Sequence, residues 1–289
     1  MHNGIESIDH PVIAAQDLDA ARVTFERLGF TVPPRGSHVE WGTGNLCIMF
    51  PDDYLEIRGI IDASRFTMHL DEHLDTFGEG LMGVAFSTAD VNRSHGDMLK
   101  NGIDAGEVRT LTRNFEHPDG WTQPSFRLCV PAADDIHGLM HVVVLQHLTP
   151  ELIREPGFLA HANGCLGING IAGMIQDVER ASSRLRRLLG DDAVTVHEQG
   201  VSARLPTAQR IDLLLPQDYE RSYGQIAATV EHEVPRLGAL TLRVESVAAV
   251  AKLLRANGVS LAEPSAALIQ VPPEDACGTT LHFTEAAAS

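Results

Sequence analysis

A chain of 289 residues, 44% of them hydrophobic, exceeds the usual size of one core, so two domains or one large repeat assembly is expected. The formal charge of -17 would be repelled by nucleic acid and by anionic membranes, so neither is expected as a partner. No apolar run reaches the roughly 18 residues of a membrane span, and neither a signal peptide nor a CxxC pair among Cys47, Cys129, Cys165 and Cys277 is present, which points to a cytoplasmic protein without disulfides.

The chain opens on an apolar strand pattern, Ile8 to Ala14, that carries His10. A helix follows, led by Asp17 and ending at Gly29. Short strand signals at His38 to Gly42, Asn45 to Phe50 and Tyr54 to Ile60 complete the stretch, with Glu56 in the last. The segment Arg65 to Gly80 reads as a connection, after which the order repeats. Helices are predicted near residues 17 to 28, 90 to 101, 177 to 189 and 246 to 257. Each is led by an Asp or Ser whose side chain can accept bonds from the free N–H groups of the first turn, and each ends near a Gly. Strand-like runs precede them at Val12 to Ala15, Met82 to Phe86, Ile171 to Ile175 and Leu240 to Val244. The repeat is therefore strand, helix, strand, strand, strand, and four copies fit the chain. One copy alone leaves an apolar sheet face uncovered, so the copies must pair. The seam falls near Pro150 to Pro156, giving domains 1–156 and 157–289, and the tail Ala286 to Ser289 is expected to fray.

These repeats, with a His in the first strand and a Glu in the fourth, resemble the vicinal oxygen chelate superfamily, which includes glyoxalase I, ring-cleaving dioxygenases and bleomycin-resistance proteins. Within it the chain resembles the glyoxalase-like domain proteins. Asp9-His10, Asp17 to Ala21, Leu28-Gly29-Phe30, His38 to Asn45, Tyr54-Leu55-Glu56, Leu111-Thr112-Arg113, Gln146 to Glu151 and His161 to Gly164 carry the resemblance, which is close over about residues 5 to 175. It implies an α+β fold of four βαβββ units paired into two half-open barrels. It also implies a divalent metal ion (Fe, Mn, Zn, Ni or Mg) held by residues on the first and fourth strands of each unit. His10 and Glu56 occupy those places in the first unit. In the second unit the first strand offers only Gly83, Val84 and Ala85, and His147 is the third candidate ligand. Later first-strand places hold Gly170 and Ala239, so the chemistry is expected in the first pair of units.

Each candidate has a second reading. His10 could be a core histidine, and Arg58, on the same strand face as Glu56, could be that carboxylate's cation without any metal. His38 is the acid/base candidate, with Glu56 the other catalytic candidate, or else His38 bonds the neighbouring turn. His147 could cap the sheet, His161 and Asn163 could hold the linker, and His282 is read as structural. Arg113 and Arg127 could reach an anionic substrate or form internal ion pairs. Trp41 and Trp121 are read as packing residues, and Arg180, Arg184, Arg186 and Arg187 as a solvated helix face. No nucleophile elbow is present, and Gly42 to Asn45 lacks the following helix of a phosphate loop. The function implied is a metal-dependent lyase, isomerase or dioxygenase acting on a small oxygenated metabolite. The alternative is a metal-free protein that binds or sequesters a small molecule, as bleomycin-resistance proteins do. A homodimer is compatible with either.

Overall fold

The computed structural model describes residues 3–37, 41–117, 120–225, 235–261 and 267–286. The first half builds β1 (Ser7–Ala14), α1 (Leu18–Arg27), β2 (Gly36–Ser37), β3 (Thr43–Met49), β4 (Tyr54–Ile60), α2 (Leu70–Phe77), β5 (Gly80–Ser87) and α3 (Val91–Lys100). It continues through β6 (Arg109–Thr112), β7 (Phe115–His117), β8 (Gly120–Thr122), β9 (Ser125–Cys129) and β10 (His141–His147). The second half builds β11 (Cys165–Met174), α4 (Val178–Leu189), β12 (Val194–His197), β13 (Gly200–Arg204), β14 (Arg210–Leu214), α5 (Pro216–Tyr223), β15 (Arg236–Val244), α6 (Val247–Ala256), β16 (Leu268–Val271) and β17 (Thr280–Glu285). Among the described residues no helix is long and apolar enough to cross a membrane.

The four expected helices form where the caps predict. Asp17 accepts from the Asp19 and Ala20 N–H groups, Asp90 from those of Asn92 and Arg93, Asp177 from that of Arg180, and Ser246 from that of Ala249. Two further helices, α2 and α5, were not apparent from the sequence. α2 falls inside the expected connection Arg65 to Gly80 and starts at His69, whose φ of 61 and missing side-chain cap leave no start signal to read. Each of these helices follows the fourth strand of an odd-numbered unit. Their apolar side chains cover part of the adjoining sheet, Leu70 and Leu74 against Val12, Ala14 and Met82, and Tyr219 and Tyr223 against Ala172, Met174 and Ala239.

The strands form an eight-stranded sheet, β2-β3-β4-β1-β5-β10-β9-β6, and a seven-stranded sheet, β12-β13-β14-β11-β15-β17-β16. In both, the first strands of two units pair antiparallel at the centre, and each first strand pairs parallel with its own unit's last strand, which in the final unit is the third strand among the described residues. This is the α+β fold of paired βαβββ units, each sheet curled into a half-barrel. Alternation along the strands, interrupted in β1 by a one-residue slip between Ile8 and His10, sends Ile8, Ile13, Leu55, Ile57, Val84 and Phe86 to one face, where they join Phe25, Met98, Leu188, Leu254 and Phe283 in a single core shared by both halves. His10, Val12, Glu56 and Arg58 go to the other, concave face.

Polar contacts tie the halves together. The Ile168 N–H and the Gln209 amide donate to buried Asp53 at 3.0 and 3.1 Å, and Arg184 and Arg187 both reach Asp135. The expected solvated arginine face is thus partly an inter-half contact, because Arg184 and Arg187 lie where α4 passes the first half. His161 and Asn163 hold the linker, His161 through the Met49 carbonyl and Asn163 through the Leu28 carbonyl. Trp121 is 63% exposed on the small β7–β8 hairpin and packs little, unlike the packing role expected of it.

Candidate functional site

The concave face of the eight-stranded sheet encloses a cavity of about 120 Å³. Register explains which side chains enter it. Glu56 pairs with Val12 across β1–β4, and with Cys47 across β3–β4, so these three share a face; His10, two residues before Val12, shares it too. On β10 the alternation His141, Val143, Leu145, His147 brings all four to the cavity. Between Ile8 and His10 the β1–β5 register slips by one residue at Asp9. Such a bulge turns its side chain to the same side as its neighbour, and Asp9 meets both His10 and His147.

The polar groups form one chain of contacts. His147 Nε2 lies 2.9 Å from Asp9 Oδ2, and His10 Nδ1 lies 2.7 Å from Asp9 Oδ1. His10 Nε2 lies 3.3 Å from Glu56 Oε2, and its ring stacks on Tyr54 with centroids 4.2 Å apart. Arg58 donates to both Glu56 oxygens, from Nε at 3.1 Å and Nη2 at 2.9 Å, while the Asn45 amide adds a bond to Oε1 at 2.8 Å. Burial alone would raise the Glu56 pKa, but the adjoining Arg58 and His10 outweigh it and hold the carboxyl well below its usual range. Asp9 is likewise held low against burial by its two histidines. Burial would lower the His10 pKa, yet the two carboxylates outweigh it and raise it, and both ring nitrogens are engaged by carboxylate oxygens. It is therefore not free to act as a general base.

His10 and Glu56, predicted together, do come together. His147 does not join them: it bonds Asp9 on the far side of the imidazole ring, away from Glu56, so the three expected ligands do not point at a common cation. Among the described residues no group of three or more His, Cys, Asp and Glu side chains could hold a metal ion. The second unit explains part of this. Because His10 pairs with Ala85 and Val12 with Gly83, a twofold axis between β1 and β5 exchanges His10 with Gly83. The same axis exchanges Glu56, opposite Val12, with Val143, opposite Ala85. The symmetric ligand places are thus a glycine and a valine. A divalent cation does not fit this donor set: the Arg58 guanidinium occupies the place beside Glu56 that it would need, bonding both carboxylate oxygens.

His38, the acid/base candidate, lies outside the described residues. Arg127 bonds the Asn92 side chain, and Arg113 donates from Nη1 to Cys47 Sγ at 3.2 Å, so among the described residues neither forms an internal carboxylate pair, one of the two readings open for them. Trp41 lines the cavity. In the second sheet His282 stacks on Tyr223 and reaches the Gln270 side chain at 3.0 Å, and burial pushes its pKa down to about 4, as suits a structural imidazole. Asp9 and Asn45 are the residues sequence reasoning missed. The Asp9 bulge had no sequence signal, whereas Asn45 stood at the start of an expected strand, β3, whose face toward Glu56 only the pairing with β4 sets.

Fold and site together define a member of the vicinal oxygen chelate fold. Similar solved structures include a hypothetical protein from Staphylococcus aureus, at 11% identity and a TM-score of 0.67, with 96% of this chain and 99% of that one covered. They also include a mutant of 4-hydroxymandelate synthase from Streptomyces coelicolor, at 9% identity, a TM-score of 0.63 and coverage of 99% and 94%. A xylose isomerase-like TIM barrel/4-hydroxyphenylpyruvate dioxygenase fusion protein matches at 10% identity and a TM-score of 0.60, all of this chain aligning with 50% of that one. At these identities the likeness shows the fold alone. A search of curated proteins gave no match. The glyoxalase-like domain family model matches residues 8–189, and the chain belongs to that family.

Proposed function

We propose that the chain is a small-molecule-binding protein whose site, on the concave face of the eight-stranded sheet, works without a resident metal ion. This is the second of the two functions the sequence implied. The observation that carries it is the two-point Arg58 clamp on Glu56 at 2.9 and 3.1 Å. A metal ion seeking Glu56 would have to displace a guanidinium held by two charge-assisted bonds. The apolar lining, including Val12, Met82, Phe126, Val143 and Leu145, suits an organic body. A cavity of about 120 Å³ is close to engineered cavities of roughly 150 Å³ that admit benzene.

The metal-dependent reading, with a substrate chelated through two oxygens, is favoured by one observation: His10 and Glu56 approach to 3.3 Å at the two expected ligand places. It requires Arg58 to leave Glu56. Titration of phenylacetamide, a neutral probe built on one benzene ring, by ligand-observed NMR separates the two. Binding should persist in EDTA and disappear in Val143→Trp, which fills the cavity. Binding that appears only after Mn²⁺ or Zn²⁺ is added would overturn the proposal.

A further inference from the structure

Arg113 is the one buried charge at this site that has no counter-ion among the described residues. It is 6% exposed and lines the cavity, its Nε has no hydrogen-bond partner, and its guanidinium sits over the Phe115 ring, 5.2 Å from the centroid. Its one side-chain hydrogen bond among the described residues donates to the Cys47 sulfur, and burial raises the pKa of that thiol, so the partner is neutral. The Tyr54 hydroxyl nearby is also kept protonated, chiefly by burial. The other charges are spoken for. Asp9 lies between His10 and His147, and Glu56 lies between His10 and Arg58. Arg58 has Glu56 as its carboxylate partner, whereas Arg113 has none among the described residues, which leaves its positive charge uncompensated inside an apolar wall. An unpaired buried charge is costly, and a contact that neutralises it is strong there because water does not screen it.

We propose that Arg113 is the anion-recognition residue of this cavity and that its ligand is a small organic monoanion. The ligand's carboxylate would meet the guanidinium while its apolar body lies against Leu111, Pro124, Phe126 and Leu145. A single negative charge matches the one guanidinium that lacks a counter-ion among the described residues. A multiply charged ligand would be opposed by the rest of a chain whose net charge is -17. The inference rests on reading the concave face as a small-molecule site, and the test separates the two.

Phenylacetate and phenylacetamide differ only in replacing a carboxylate by an amide. The wild-type protein should bind phenylacetate about tenfold or more tightly than phenylacetamide, the scale of one charge-assisted hydrogen bond. Arg113→Met should abolish that preference while keeping phenylacetamide affinity, and Arg113→Lys should retain part of it. The wild-type comparison needs no variant to fold. Equal affinity of wild type for the two probes, or a preference that survives in folded Arg113→Met, would overturn the role of Arg113 and leave the small-molecule site standing. Failure of both probes to bind, or binding unaffected by Val143→Trp, would overturn the site itself and the inference with it.

Discussion

Replacing Arg58 by Leu tests whether a side chain has taken the place of a cation. The substitution removes two bonds to Glu56, at 2.9 and 3.1 Å, and leaves a carboxylate whose side chain is 3% exposed. Breaking a buried pair from one side typically costs about 3 to 5 kcal/mol. Asn45 and His10 still hold Glu56, so a loss near the lower end, about 3 kcal/mol, is expected by urea denaturation at pH 7. Glu56 is held below its ordinary pKa in the fold, so the pair's contribution is present above the unfolded carboxylate value and fades as pH falls through the folded one. The gap between wild type and variant should therefore narrow below about pH 4.5. The variant also uncovers Glu56 beside His10, so added Zn²⁺ or Mn²⁺ should raise its midpoint and leave that of wild type unchanged. The reasoning is refuted if Arg58→Leu is as stable as wild type, or if metal stabilises wild type and not the variant.

Other outcomes follow from the same geometry. Burial raises the Asp53 pKa to about 7 from 3.8, so its folded state is favoured by protonation and loses stability as pH rises through about 7; Asp53→Asn, followed by denaturation between pH 5 and 8, should remove that loss. A Cβ on Gly83 would lie 2.4 Å from the His141 carbonyl oxygen, so Gly83→Ala should destabilise by about 1 to 3 kcal/mol in the same assay. Side-chain NMR should find the His10 ring still protonated above pH 6.5, whereas His73 and His282, buried without carboxylate partners, should titrate near 4.

The parts of this structure legible in the sequence are those fixed by local chemistry. Asp17, Asp90, Asp177 and Ser246 mark helix starts because a short polar side chain satisfies N–H groups two or three residues on. The period of two placed Arg58 on the face of Glu56, and the repeat placed Glu56 beside the strand of His10. What escaped depends on distant partners. Asp9 enters the site through a one-residue slip against β5, which nothing in residues 7 to 14 announces. His147 meets Asp9 only because β10 docks on β5 with His141 opposite Gly83. For Arg113 the sequence left open an anionic substrate or an internal ion pair, and only the fold decides, by setting it against a thiol and the Phe115 ring. α2 begins without a cap, and its amphipathic residues carry meaning only once β1 and β5 lie beneath them.

Elemental analysis of the wild-type protein, purified without chelator and then equilibrated with a slight excess of Mn²⁺, Fe²⁺, Ni²⁺ or Zn²⁺ before desalting, tests the central claim most directly. The account predicts far less than stoichiometric metal in every case, with Glu56→Gln no different from wild type. Stoichiometric retention of one metal by wild type, lost in Glu56→Gln, would contradict it.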